Sequence, residues 1–115
     1  MDKVALFAFR GELMCFVHVL LNALDLDARG TEARIVFEGA SVTLVRELAD
    51  PACPFHGLYA KARERGLVDG ACKACSAKLG VLDQVQAQGL PLLEGMSGHP
   101  AMGDYLARGF TILTF

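Results

Sequence analysis

The segment from Lys3 to Phe9, K-V-A-L-F-A-F, constrains this chain more than any other. After Lys3 it is apolar at every position, so neither face of a strand built from it is suited to water. A strand buried on both faces belongs in a parallel sheet covered by helices. Arg10 and Gly11 break the run, and the periodicity then changes. From Glu12 to about Asp27 apolar residues nearly encircle a helix, leaving only a narrow polar stripe of His18, Asn22 and Asp25. So apolar a helix is expected to pack on the sheet with one side and on a neighbouring subunit with another.

The rest of the chain repeats the alternation. Ala33 to Phe37 is a second apolar run, and Ser41 is placed to cap a helix that runs to about Ala49 and stops at Asp50-Pro51. A helix over Phe55 to Glu64 closes at Gly66, and Leu67 to Ala71 forms the third strand. A short helix carrying Cys72 and Cys75 ends at Gly80, and another spans Val81 to Gln88. Leu90 to Glu94 gives the fourth strand, Pro100 opens a helix that reaches Arg108, and Phe110 to Phe115 gives the fifth. Strands alternating with helices imply an α/β sandwich around a mainly parallel five-stranded sheet, in a single domain over residues 1–115.

Composition narrows the partners. The net charge is −2, with no basic stripe interleaved with aromatics, which argues against nucleic acid. The apolar stretch Leu13 to Leu24 is too short to span a bilayer, and the opening residues lack the pattern of a signal peptide. A cytoplasmic location is therefore expected, where the four cysteines would rest reduced and serve reactive or metal-binding roles rather than a disulfide framework. The hydrophobic fraction of 53% and mean hydropathy of +0.37 are high for 115 residues and point to a homo-oligomer.

In an open parallel sheet, reacting groups gather beyond the carboxyl ends of the strands. That rule selects Arg10-Gly11-Glu12 with nearby Cys15, Glu38-Gly39-Ala40, Cys72 to Cys75, and Met96 to Pro100 with His99. Cys72 stands at a strand-to-helix junction, where backbone N–H groups and the helix dipole favour a thiolate, so it is expected to be ionised and accessible. Cys75 lies one helical turn on. The pair could share a persulfide, close a reversible disulfide or ligate a metal. Arg10, Glu38 and His99 are the expected binding groups around them, Arg10 as a cation near Cys72. No resident cofactor is expected on the thiol reading; the alternative is zinc held by Cys72, Cys75, Cys15 and His99. Cys53-Pro54-Phe55-His56 has the spacing of half a metal site but is taken as a loop between helices.

The opening K-V-A-L-F-A-F, the V-F-E-G-A after it, the block G-L-V-D-G-A-C-K-A-C-S-A-K-L-G-V and the closing R-G-F-T-I-L-T-F together resemble the DsrE-like family of small sulfur-relay proteins, and in particular a branch that carries C-K-A-C. The resemblance implies a three-layer α/β/α sandwich, assembly as a trimer or a multiple of three, and a sulfurtransferase-like role in which Cys72 carries sulfane sulfur as a persulfide. Cys75 would be a resolving thiol, and a protein sulfur donor or acceptor would be the partner. Two other functions compete: a metal-binding or thiol-redox module on the same pair, and a non-catalytic assembly protein.

Overall fold

The computed structural model describes residues 2–115. Strand β1 spans Lys3–Ala8, helix α1 Leu13–Ala28 and strand β2 Glu32–Phe37. A 3-10 turn over Gly39–Thr43 leads into α2, Leu44–Leu48; α3 is His56–Glu64 and β3 is Val68–Cys72. Two short helices follow, α4 at Lys73–Lys78 and α5 at Leu82–Ala87, then β4 at Leu92–Leu93, α6 at Met102–Ala107 and β5 at Thr111–Thr114. The five strands are all parallel, in the order β4-β3-β2-β1-β5.

The apolar opening run explains why β1 sits in the interior of the sheet. Leu6 and Ala8 point into the larger core with Ile35 and Phe37, whereas Ala5 and Phe7 face the opposite side with Val36. Both sets are buried, as a strand without alternation requires. The larger core takes Phe16, Val19, Leu20 and Ala23 from α1, Leu44, Val45 and Leu48 from α2, Tyr59 and Ala62 from α3, and Val85 from α5. Phe16 stacks on Phe37 at 4.8 Å between ring centres. Each fully buried Val, Leu or Phe among them contributes about 1.5–3 kcal/mol. The second face is covered by α6, whose Tyr105 meets Phe7 edge-on at 5.3 Å and hydrogen-bonds Asp69 through its hydroxyl. The result is a three-layer α/β/α sandwich with very unequal outer layers.

Several boundaries depart from the sequence reading, each for a local reason. Ser41 does not cap a helix. It is the third residue of the 3-10 turn, where its hydroxyl accepts the Glu38 amide at 3.1 Å while the Glu38 side chain accepts from Gly39. Pro100 lies ahead of α6, whose N-cap is Ala101. β4 is only two residues long, and Gly70 lets it approach β3: a Cβ there would sit 2.4 Å from the Pro91 carbonyl oxygen. On α1 the stripe of His18 and Asn22 is exposed, together with Met14 and Leu21. Among the described residues no helix is long and apolar enough to cross a membrane.

Candidate metal centre

Four side chains from three separate carboxyl-end segments converge: Glu38 after β2, Cys72 at the end of β3, Cys75 in α4 and His99 after β4. One ligand atom from each lies within 4.8 Å of the others.

Each is held by its own local structure. The Glu38 amide bonds Ala8 O at 2.9 Å, and Ser41 Oγ donates to the same carbonyl at 2.7 Å, so the end of β2 is tied to the end of β1. Cys72 is the N-cap of α4, and its sulfur accepts the Cys75 amide at 3.3 Å. Met96-Ser97-Gly98-His99 is a tight turn whose central residues have φ of 51° and 91°, the positive pair of a type I′ turn. Gly98 is needed there twice over, for its φ and because an added Cβ would lie 3.1 Å from that of Ala74. Its carbonyl accepts the Ala74 amide at 2.8 Å, which clamps the turn onto α4 and delivers His99 to the thiols.

Cys72 Sγ lies 3.1 Å from His99 Nδ1, Cys75 Sγ lies 3.2 Å from Glu38 Oε1 and 3.7 Å from His99 Nδ1, and that nitrogen is 3.4 Å from Glu38 Oε1. Glu38 and Cys72 are buried, Cys75 is half-buried, and the His99 side chain is 40% exposed, so the cluster opens to solvent on the imidazole side.

Cys72 contradicts the sequence expectation. It is fully buried rather than accessible, and its thiol is pushed well above the ordinary cysteine value. Burial is the main cause, with the Cys75 thiol and, to a smaller extent, the Glu38 carboxylate adding to it; the hydrogen bond from the Cys75 amide opposes them. A six-residue helix supplies too little field to win against a desolvated site that already holds a carboxylate. In the metal-free protein Cys72 is a protonated thiol.

Two further expectations fail. Arg10 and Cys15 do not join the cluster; they line a crevice near the end of β5 with His18, Thr114 and Phe115. The fourth donor beside Cys72, Cys75 and His99 is Glu38, not Cys15. The reason is topological, because β1 ends on the far side of β2 from β3 and its following helix carries Cys15 away. Cys53 and His56 also stay apart from the cluster, as expected of a loop. The sequence reading did not single out the Ser97-Gly98 turn that aims His99, although Ser-Gly is itself a turn signal.

No family model matches the chain. It is similar to a conserved protein of unknown function from Bacteroides thetaiotaomicron, with a TM-score of 0.70 and 22% identity over 99% of this chain and 95% of that one, a likeness of fold. An uncharacterised protein of Methanocaldococcus jannaschii is 28% identical over 97 residues, 84% of this chain and 77% of the relative. An uncharacterised protein of Archaeoglobus fulgidus is 33% identical over 48 residues, which are 42% of this chain and 79% of that protein. The chain belongs to the same family as that Archaeoglobus fulgidus protein.

Proposed function

We propose that the protein is a metal-binding module that holds one thiophilic divalent ion, zinc first among them, on Cys72, Cys75, His99 and Glu38. The observation that carries this reading is the convergence of the four donors within 4.8 Å. Zinc–sulfur, zinc–nitrogen and zinc–oxygen bonds in a tetrahedron put neighbouring ligand atoms about 3.4–3.8 Å apart. Four of the six separations, 3.1–3.7 Å, are already close to that, and all six lie within 4.8 Å. Two thiols and an imidazole select zinc over magnesium or calcium, which prefer oxygen ligands. A cation among these groups also reverses the local electrostatics, since a coordinating thiol gives up its proton.

Four protein ligands complete a tetrahedron, which supports holding the ion rather than activating water on it. Cys72 is itself part of the larger apolar core and Cys75 packs against it, so the centre is anchored in the fold rather than appended to it. The test is direct: metal-free protein is titrated with zinc and its content measured. One equivalent retained through gel filtration, and lost in Cys72→Ser and His99→Ala, supports the reading; a wild type that retains none overturns it.

A second reading, sulfur carriage, is favoured by the 3.1 Å separation of Cys72 Sγ and His99 Nδ1, the distance of a nucleophile from its base. The thiol would pass its proton to Nδ1. The thiolate would attack the outer sulfur of a donor persulfide, breaking the donor's S–S bond and releasing its thiol. Cys75 could then attack Cys72 Sγ, closing a disulfide and expelling hydrosulfide. Mass spectrometry after exposure to a persulfide donor checks this: one added sulfur on the wild type and none on Cys72→Ser supports it, and an unmodified wild type removes it. On either reading we place the protein in the cytoplasm as a homo-oligomer joined through α1, where Met14 and Leu21 are exposed. A native mass above that of one chain checks the assembly.

A further inference from the structure

Two of the four cysteines share one centre and the other two do not. The sulfurs of Cys72 and Cys75 lie no more than 4.8 Å apart at the start of one short helix, and the Cys75 amide already reaches Cys72 Sγ at 3.3 Å. Cys15 belongs to α1 and Cys53 to the loop before α3, and neither joins the four donors. The pair is therefore set to close a disulfide within a single helical turn.

The two sulfurs are unequally reachable. Cys72 is fully buried, whereas Cys75 is half-buried in a cluster that opens to solvent beside the 40% exposed His99 side chain. A reagent arriving from solvent meets Cys75 before Cys72. The donor set makes their union consequential. A disulfide has no thiolate to offer a metal, so joining the sulfurs removes both of the soft ligands at once. His99 and Glu38 are left, fewer protein ligands than a structural or catalytic zinc site uses.

Resting on the metal reading above, we propose that this centre is gated by oxidation: a hydroperoxide joins Cys72 to Cys75 and the ion is released, and a dithiol reductant restores the site. With the metal bound both sulfurs are thiolates. Cys75 attacks the outer peroxide oxygen; the O–O bond breaks, the leaving oxygen takes a proton from water, and Cys75 becomes a sulfenic acid. Cys72 then attacks Cys75 Sγ; the S–O bond breaks, and the departing hydroxide takes a second proton. The two sulfurs give up two electrons between them, and the hydroperoxide is reduced to an alcohol and water, or to water alone when it is hydrogen peroxide.

The test treats reduced, zinc-loaded protein with hydrogen peroxide. A chromophoric indicator follows free zinc, and mass spectrometry of the alkylated digest locates the disulfide. The expected result is zinc release in step with a Cys72–Cys75 bond, a zinc affinity at least about a hundredfold lower in the oxidised form, and recovery of binding in dithiothreitol. The double variant Cys15→Ser, Cys53→Ser keeps both sulfurs of the pair and should release its zinc as the wild type does. Zinc retained by the disulfide form, a disulfide to Cys15 or Cys53 instead, Cys75 carried on to sulfinic acid, no reaction, or no release from the double variant would each overturn this proposal and leave the metal reading standing. Reduced protein that holds no zinc at the outset would overturn both.

Discussion

Cys53-Pro54-Phe55-His56 and Cys72-Lys73-Ala74-Cys75 both set two metal-ligating side chains three positions apart, yet only the second gathers further donors. The first runs from the loop after α2 into the first residue of α3 and takes no part in the four-donor cluster. There His56 Nδ1 is 2.9 Å from the Leu48 carbonyl oxygen; a carbonyl can only accept, so that nitrogen carries the proton and closes a loop. Cys53 packs against the larger core. The second motif begins where β3 ends, and neighbouring strand ends bring it Glu38 and His99. Spacing along the chain supplies two ligands; the sheet supplies the rest.

The contrast is sharpest in paired substitutions. Cys72→Ser should lower zinc affinity by more than about a hundredfold, beyond what the loss of an outer-shell partner costs. Cys53→Ser should leave affinity and stoichiometry unchanged. Competition against a chromophoric chelator reads both, and equal losses would erase the distinction between the motifs. Glu38→Gln is next in size. The amide is a weaker ligand than the carboxylate, so affinity should fall about ten- to a hundredfold while the fold persists, because Ser41 still ties the end of β2 to Ala8. An unaltered affinity would make Glu38 a bystander.

Much of this was legible in the residues, and the exceptions have physical causes. The unalternating β1 run and the helical periods between strands are local signals, and they gave the parallel sheet and its layers. The carboxyl-end rule picked out Glu38, Cys72, Cys75 and His99 together. What it could not resolve was which carboxyl ends adjoin. Strand order places β2 beside β3 and sends β5 past β1, and that order separates Arg10 and Cys15 from the thiols. The protonation of Cys72 was hidden for a related reason: its burial and its carboxylate neighbour come from residues far away in the sequence, whereas the helix start that argues for a thiolate is local.

That protonation gives a smaller effect with a definite sign. A thiol whose value in the fold lies above its ordinary 9.0 keeps its proton longer than in the unfolded chain. The stabilisation is fully present below about pH 9 and is lost as pH rises further, because the unfolded chain ionises first. Tyr59 and Tyr105, both raised above 10.0 mainly by burial, act in the same direction at still higher pH. Thermal melts of the metal-free protein should therefore decline from about pH 9 upward, and less steeply in Cys72→Ser. A flat profile would mean that Cys72 is not sealed from water. The smallest effect belongs to the other motif. His56→Ala should cost about 0.5–1.5 kcal/mol through the lost bond to Leu48, with no change in metal content. Chemical denaturation measures it, and a change in zinc stoichiometry would contradict the division of roles drawn here.

X-ray absorption at the zinc edge of the loaded protein tests the centre most directly. Two sulfur ligands at about 2.3 Å and two lighter ligands at about 2.0–2.2 Å are expected, reduced to one sulfur in Cys75→Ser. A shell of oxygen and nitrogen alone, or one unchanged by that substitution, would contradict the assignment of the metal to these four side chains.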